Sequence, residues 1–315
     1  RLSGLVNAVC RKVSKQFITG ITFLEPCLNS DLLLPLEIIY GVEVSKRLGL
    51  AQGKTPPIDI TVKNKMLESY YAETLKANVL SSGSLRMSSK GQISKLPGYS
   101  DGEWWVQDFS ASLPVRLLGN IKDKLVLDVG AAPGGKTMQI AANGAEVVAV
   151  EISKTRAKIL TDNLKRTNLV ADIKIEDICS FSTDKLFDVI LVDAPCSATG
   201  TIRRNYDLQY LDPIKRVSGL VRQQKLILKK SMRFIKPGGT LLYCTCSLLP
   251  DEGENVINDV LLKSSDWNQI PIDCDKLGID SDWLDDSGGL RLRPDYWETI
   301  GGMDGFYIAM LENKK

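Results

Sequence analysis

The sequence predicts an α/β protein whose larger part, residues 109–315, forms a doubly wound, mostly parallel sheet. Three observations predict it. Apolar runs alternate with amphipathic stretches from residue 124 onward, the pattern of parallel strands joined by helices. The first run ends in a glycine-rich loop that starts at Gly130. Acids stand at the ends of later runs: Glu151, Asp177 and Asp193. Ahead of this part lie a small α/β module over 51–108 and an apolar-rich helical segment over 1–50.

The elements follow in order. "KLVLDVG" (124–130) reads as a strand and "KTMQIAANG" (136–144) as a short helix stopped by Gly144. "EVVAVEI" (146–152) is a second strand. The helix over 153–169 takes Ser153 as its N-cap. "DIKIEDI" (172–178) and "FDVILVDAPCS" (187–197) are the third and fourth strands. An amphipathic helix over 219–235 is stopped by "KPGG" (236–239). A fifth strand over 240–247, a helix over 253–264 and a final strand over 304–312 close the chain. In the smaller module, 53–63 becomes a strand, 65–79 has helical spacing, and 81–102 reads as strand fragments joined by loops.

Composition narrows the chemistry. At 315 residues, the chain suffices for one large domain with an appendage, or for two domains. It begins with Arg1 rather than Met, as expected of a fragment or processed chain. No apolar run reaches the roughly 18 residues of a membrane span. The 40 basic and 38 acidic residues nearly cancel, but unevenly. Net charge is +6 over 1–95, +8 over 201–236 and −9 over 251–315, a distribution suited to a polyanionic partner on one face. Histidine is absent, which excludes His-based triads and His-type zinc sites. The C-x-C pair has no second close pair, so no metal site is expected. Seven irregularly spaced cysteines predict free thiols in a reducing, cytoplasmic setting. Cys10, Cys27, Cys179, Cys244 and Cys274 read as small buried hydrophobes.

The loop "GAAPGGKT" (130–137) fits the P-loop pattern, and "VILVDAP" resembles the acidic strand that accompanies it. That reading leaves two thiols idle: Cys196, directly after "DAP", and Cys246, in "YCTCS" at the next strand's end. Methyl transfer gives both a role. A thiolate adding to carbon 6 of cytosine makes carbon 5 nucleophilic toward a methyl sulfonium. A base then removes the carbon-5 proton and the thiolate leaves. On a regular strand Cys244 and Cys246 share one face, so facing does not choose between them; Cys246 lies nearer the carboxyl end, where ligands gather. Glu151, at the end of the second strand, suits ribose hydroxyls.

"DVGAAPGGKT", "DAPCSATG" and "YCTCSLLPDEGENV" resemble the signature blocks of bacterial RNA cytosine-5 methyltransferases of the Sun/Fmu (RsmB-like) family. "EWWVQDFSASLPVRLL" (103–118) and "DGFYIAML" (304–311) resemble its flanking blocks. "LVNAVCRKV" (5–13) resembles, over a short match, the end of the family's NusB-like domain. The resemblance implies a Rossmann-like methyltransferase sheet over 109–315, an RNA-binding module over 51–108, and RNA, above all ribosomal RNA, as partner. It implies S-adenosyl-L-methionine as cofactor, wrapped by Gly130, Ala131, Ala132, Pro133, Gly134, Gly135 and Lys136. Glu151 would take the ribose, Asp177 would approach the adenine, and Arg156 would orient the acids. Asp193 would lie between the methionine end and the target base. Cys246 would attack, Cys196 would assist release, and Lys136 would steady Asp193 or the nucleophile. "TIRRNYDLQYL" (201–211) departs from the family, which often has proline where Tyr206 stands; by charge alone, its Arg203 and Arg204 read as phosphate ligands. Rival readings are a DNA cytosine-5 methyltransferase with Cys196 as nucleophile and a non-catalytic RNA-binding relative.

Overall fold

The computed structural model describes residues 2–16, 27–87 and 91–314. The helical expectation over 17–26 and the loop at 88–90 lie outside the described residues. The chain opens with α1 (Leu2–Gln16), α2 (Ser30–Tyr40) and α3 (Val42–Gln52). Asn29 caps α2 by accepting from the Asp31 N–H. Leu32, Leu36 and Leu48 bury the α2–α3 pair against Ile202, Leu248 and Leu249.

A four-stranded antiparallel sheet follows: β1 (Ile58–Val62), β2 (Asn78–Val79), β3 (Leu85–Met87) and β4 (Trp104–Val106), ordered β2-β3-β1-β4. The helix expected over 65–79 is shorter. Its α-helical part, α4, spans Glu68–Thr74, and Val79 pairs with Leu85 in the sheet. Polar bonds tie this sheet to the rest. Asp59 of β1 pairs with Arg86 of β3 at 2.7 Å and also accepts the Phe109 N–H. Arg86 reaches the Ile300 carbonyl.

The second sheet carries the site. It contains β5 (Leu125–Val129), β6 (Glu146–Val150), β7 (Asp172–Lys174), β8 (Phe187–Asp193), β9 (Ile235–Thr245), β10 (Trp267–Ile270), β11 (Leu290–Leu292) and β12 (Phe306–Asn313). The order is β10-β12-β9-β8-β5-β6-β7, with β11 on β12. β7, β6, β5, β8 and β9 run parallel; β10, β11 and β12 add antiparallel pairings. The chain leaves β5 toward β6 and β7, then crosses to β8 and β9. The crevice between β5 and β8 is therefore the topological switch point, where such sheets bind ligands.

Helices cover both faces. One layer has α5 (Phe109–Leu117) and α6 (Gly135–Ala142); the other has α8 (Pro213–Ser231) and α9 (Glu254–Leu261). Between β6 and β7 runs α7 (Lys154–Thr167), capped by the Ser153 side chain. Alternate strand residues divide accordingly: Leu127 and Val129 pack with Ile227 and Ile257, and Val126 with Phe109, Leu113 and Ile140.

Two expectations shift here. α8 starts six residues early because Pro213, in its first turn, has its backbone angle preset for a helix. "KPGG" lies inside β9 rather than ending α8. Phe187 pairs with Ile235 and Val189 with Thr240, so Lys236–Gly239 forms a bulge. β10 and β11 were not legible, being edge strands of four and three residues.

Candidate active site

The site stands at the carboxyl ends of β5, β6, β8 and β9. Its first determinant is Gly130, which follows β5 at φ 78°. A Cβ there would sit 2.3 Å from the Asp193 carbonyl oxygen. Only glycine lets the ends of β5 and β8 approach this closely. Beyond Gly130 the loop turns inward. Ala131 and Ala132 are buried with Leu160 and Leu164, and Gly134 packs on Leu160. The cleft is lined by Gly130, Glu151, Arg156, Asp177, Asp193, Cys196 and Cys246; the loop from Ala131 to Lys136 is not part of its lining. It encloses about 440 Å³, with Val150, Ile152, Ile178, Leu220 and Ile227 as apolar walls, within the size range of a nucleoside-sized site.

The structure removes the P-loop reading. Lys136 turns into the protein and pairs with Asp193 at 2.9 Å. Thr137 donates to Asp128 at 2.5 Å. Neither side chain is free to meet a phosphate or its metal. Burial alone would lower the Lys136 ammonium pKa; Asp193, with Cys244 and Cys246, outweighs it and drives the pKa well above the usual value. Asp128, fully buried, moves the other way from an ordinary acid. Burial pushes its carboxyl up to about 7, with Asp193 adding and Thr137 opposing. Its Oδ1 has no hydrogen-bond partner among the described residues.

On the β6 side, Glu151 is 1% exposed and accepts the N–H groups of Ser153 (2.9 Å) and Ala132 (3.3 Å). Arg156 lies 3.5 Å from it and donates to the Ala132 carbonyl. Asp177 lies beyond β7 and accepts the Cys179 N–H.

On the other side, pairing in the sheet sets the thiols. Asp193 of β8 lies opposite Cys244 of β9. Two and three residues further on, the chains carry Cys246 and Cys196 into the cleft with their sulfurs 3.5 Å apart. β9 ends at Thr245, so Cys246 has left the strand. Cys244 stays in the core, its Sγ 3.7 Å from Asp193, and burial raises its thiol well above the usual pKa, as does Asp193. The hydrogen bond with Cys246, then burial, raise the Cys196 thiol well above its usual value.

Two sets of residues depart from the sequence reading. Arg203 does not face a phosphate. Its side chain is 2% exposed and pairs with Asp108 (2.7 Å) and Asp304 (2.6 Å). Arg204 pairs with the same two acids. The physical reason is topological: β12's approach and the turn before α5 put two buried carboxylates beside the pair. Among the cysteines read as buried, Cys244 and Cys274 are, while Cys10, Cys27 and Cys179 are exposed; all seven are free thiols. Sequence reasoning also missed Glu252, Ser197, Ser247 and Gln224, which lie behind the thiols. The signal was present but unread: each thiol is followed by a serine.

Residues 115–312 match the family model described as 16S rRNA methyltransferase RsmB/F. The chain belongs to this family. The "Ribosomal RNA small subunit methyltransferase B" of Photorhabdus laumondii is 33% identical over 336 residues, covering 100% of this chain and 74% of that protein. The protein of the same name from Cronobacter sakazakii is 42% identical over 235 residues, covering 73% of this chain and 52% of that protein. In structure, a "Methyltransferase Homolog Protein from Pyrococcus Horikoshii" superposes with a TM-score of 0.71 at 24% identity, over 91% of this chain and 100% of that one.

RsmB/F membership makes the chain an S-adenosylmethionine-dependent rRNA methyltransferase. It also sets aside the DNA-methyltransferase rival. The fit to the cofactor rests on the cleft itself: a glycine turn at its edge where a Cβ would meet the Asp193 carbonyl oxygen, one buried acid at the end of β6, and apolar walls. Among the described residues no helix is long and apolar enough to cross a membrane.

Proposed function

We propose that this chain methylates carbon 5 of a cytosine in small-subunit ribosomal RNA, in the cytoplasm, with Cys246 attacking and Cys196 assisting release. One observation carries the reading: two thiols from neighbouring strand ends meet at 3.5 Å in the cleft that holds Glu151, Asp177 and Asp193. Glu151 and Asp177 would hold the ribose and adenine ends of S-adenosylmethionine, with Arg156 fixing Glu151 and the Gly130 turn shaping the floor. The cofactor supplies the electrophilic methyl group. The Cys246 sulfur adds to carbon 6 of cytosine, which makes carbon 5 the nucleophile. Cys196, its sulfur 3.5 Å from that of Cys246, stands beside the adduct to assist loss of the carbon-5 proton, after which the Cys246 sulfur leaves. Lys136 keeps Asp193 fixed at the cleft edge.

With Arg203 and Arg204 committed elsewhere, the basic segment still offers the cleft one cation. Arg216 of α8 lines it, is exposed, and forms no ion pair among the described residues. We assign it to the RNA backbone.

The test uses two variants with ribosomal RNA and S-adenosylmethionine. Cys196→Ala is expected to accumulate a covalent protein–RNA adduct, seen as a denaturation-resistant band. Cys246→Ala is expected to lose both adduct and methylation, by roughly 10³-fold or more. An adduct trapped by Cys246→Ala and not by Cys196→Ala would reverse the two roles.

A further inference from the structure

The loops that carry the two thiols are joined by one side chain that touches neither sulfur. Glu252 ends the short turn Pro250–Glu252 and is 0% exposed. Its carboxylate accepts the Ser197 N–H at 2.9 Å and the Ser197 hydroxyl. It accepts the Ser247 hydroxyl at 2.7 Å and the Gln224 amide at 3.1 Å. Ser197 follows Cys196, and Ser247 follows Cys246. The two Cys-Ser dipeptides therefore converge on one carboxylate from chain positions about 50 residues apart.

No lysine or arginine among the described residues pairs with Glu252; its surroundings supply donors alone. A buried carboxylate without a counter-ion is costly unless its lone pairs are filled. Four donor groups match the capacity of a carboxylate. The arrangement reaches further on both sides. Gln224 also donates to the Pro195 carbonyl at 2.9 Å, so Cys196 is held through both of its chain neighbours. The Gly200 N–H donates to the Cys246 carbonyl, and the Leu248 N–H to Thr199 Oγ1, both at 2.9 Å. Between them Ala198 sits at φ 57°, a conformation an alanine keeps only when its surroundings enforce it.

We propose that Glu252 is a positioning residue for the two-thiol centre. It fixes the distance and relative orientation of Cys196 and Cys246 by tying the serine behind each to a shared carboxylate. Its catalytic consequence rests on the methyl-transfer reading; its structural consequence does not. Misplacing a reacting group by about 1 Å costs on the order of 10²-fold in rate.

The test reads thiol proximity directly. Diamide converts two neighbouring thiols to a disulfide: two S–H bonds break, one S–S bond forms, and the azo group takes up both protons and both electrons. The Cys196–Cys246 peptide is followed by mass spectrometry in the purified protein. Glu252→Gln replaces one acceptor oxygen with an amide donor facing other donors. It is expected to slow disulfide closure at least about tenfold, with thiol alkylation of exposed Cys179 unchanged. Methylation kcat is expected to fall by about 10²-fold, with the affinity for S-adenosylmethionine, measured by calorimetry, within about twofold of the parent. If Glu252→Gln does not fold, the double variant Ser197→Ala, Ser247→Ala decides, since it cuts the hydroxyl ties and leaves the carboxylate in place. Closure at the parent rate in a folded Glu252→Gln, or in the double serine variant, overturns the proposal. A parent protein that forms the disulfide quickly yet never methylates RNA would sink the methyl-transfer reading and leave the clamp standing.

Discussion

Two fully buried acids lie under the cleft, and they are treated in opposite ways. Glu252, beneath the thiols, has donors on both oxygens. Asp128, on β5 beneath the Gly130 turn, receives the Thr137 hydroxyl on one oxygen and, among the described residues, nothing on the other. Burial and the nearby Asp193 accordingly push Asp128 up to about 7. The difference follows the two walls of the site. The thiol wall is cross-braced by side chains from the loops after β8 and β9, from the Pro250–Glu252 turn and from α8. The wall proposed for the cofactor is shaped by backbone: a glycine turn, and a Glu151 that accepts two N–H groups. Bracing belongs where bonds form and break, because reacting atoms must be held to a fraction of an ångström. A wall that receives a ligand needs shape and unspent polar capacity instead.

The largest expected effect breaks the outer anchor of the thiol wall. Arg203, a few residues past Cys196, is locked between Asp108 and Asp304. Arg203→Ala leaves those carboxylates under-paired in the interior and is expected to cost about 3–5 kcal/mol of unfolding free energy, read by denaturant titration. Arg203→Lys is expected to rescue little, because a lysine cannot reproduce the two-sided guanidinium contact. An unchanged stability together with weaker, less salt-sensitive RNA binding would restore the phosphate role.

Next in size is the pH response of the cofactor wall. Asp128 has its folded pKa raised above the ordinary value, so its contribution is fully present at low pH and is lost as pH rises through about 7. Unfolding free energy is expected to fall by about 2 kcal/mol between roughly pH 5 and 8 on this account. Asp128→Asn should remove that slope; a slope equal to the parent's would show that Asp128 is satisfied after all.

The smallest effect sharpens the independence of the two walls. Glu151→Gln is expected to weaken S-adenosylmethionine binding by roughly 10-fold, one charge-assisted hydrogen bond's worth. Diamide closure of the thiols should stay at the parent rate. A slowed closure would mean that the walls move as one.

Much of this was legible in the chain. Apolar runs alternating with helices announced the parallel sheet, since period and punctuation are local properties. The cysteines at 196 and 246 stood out because the P-loop reading left both idle and methyl transfer gave each a role. Arg203 and Arg204 misled for an equally physical reason. Two adjacent arginines in a polar loop look solvated until Asp108 and Asp304, some 95 to 101 residues away, come beside them. Glu252 read as one acid among several in "PDEGEN", because its partner Ser197 lies 55 residues upstream. Lys136 matched a phosphate-binding pattern by spacing alone, while the family resemblance pointed it to Asp193 or the nucleophile; the structure pairs it with Asp193 at 2.9 Å.

The sequence by itself determined the alternation of the parallel strands with their helices, the glycine at the switch point, the acids at strand ends and the pair of thiols. These depend on residue type, period and local spacing. Only the tertiary structure decided which charges are spent on each other and which remain for a ligand. Ion pairing and hydrogen-bond satisfaction are settled between groups far apart in the chain, once burial has removed water as the alternative partner.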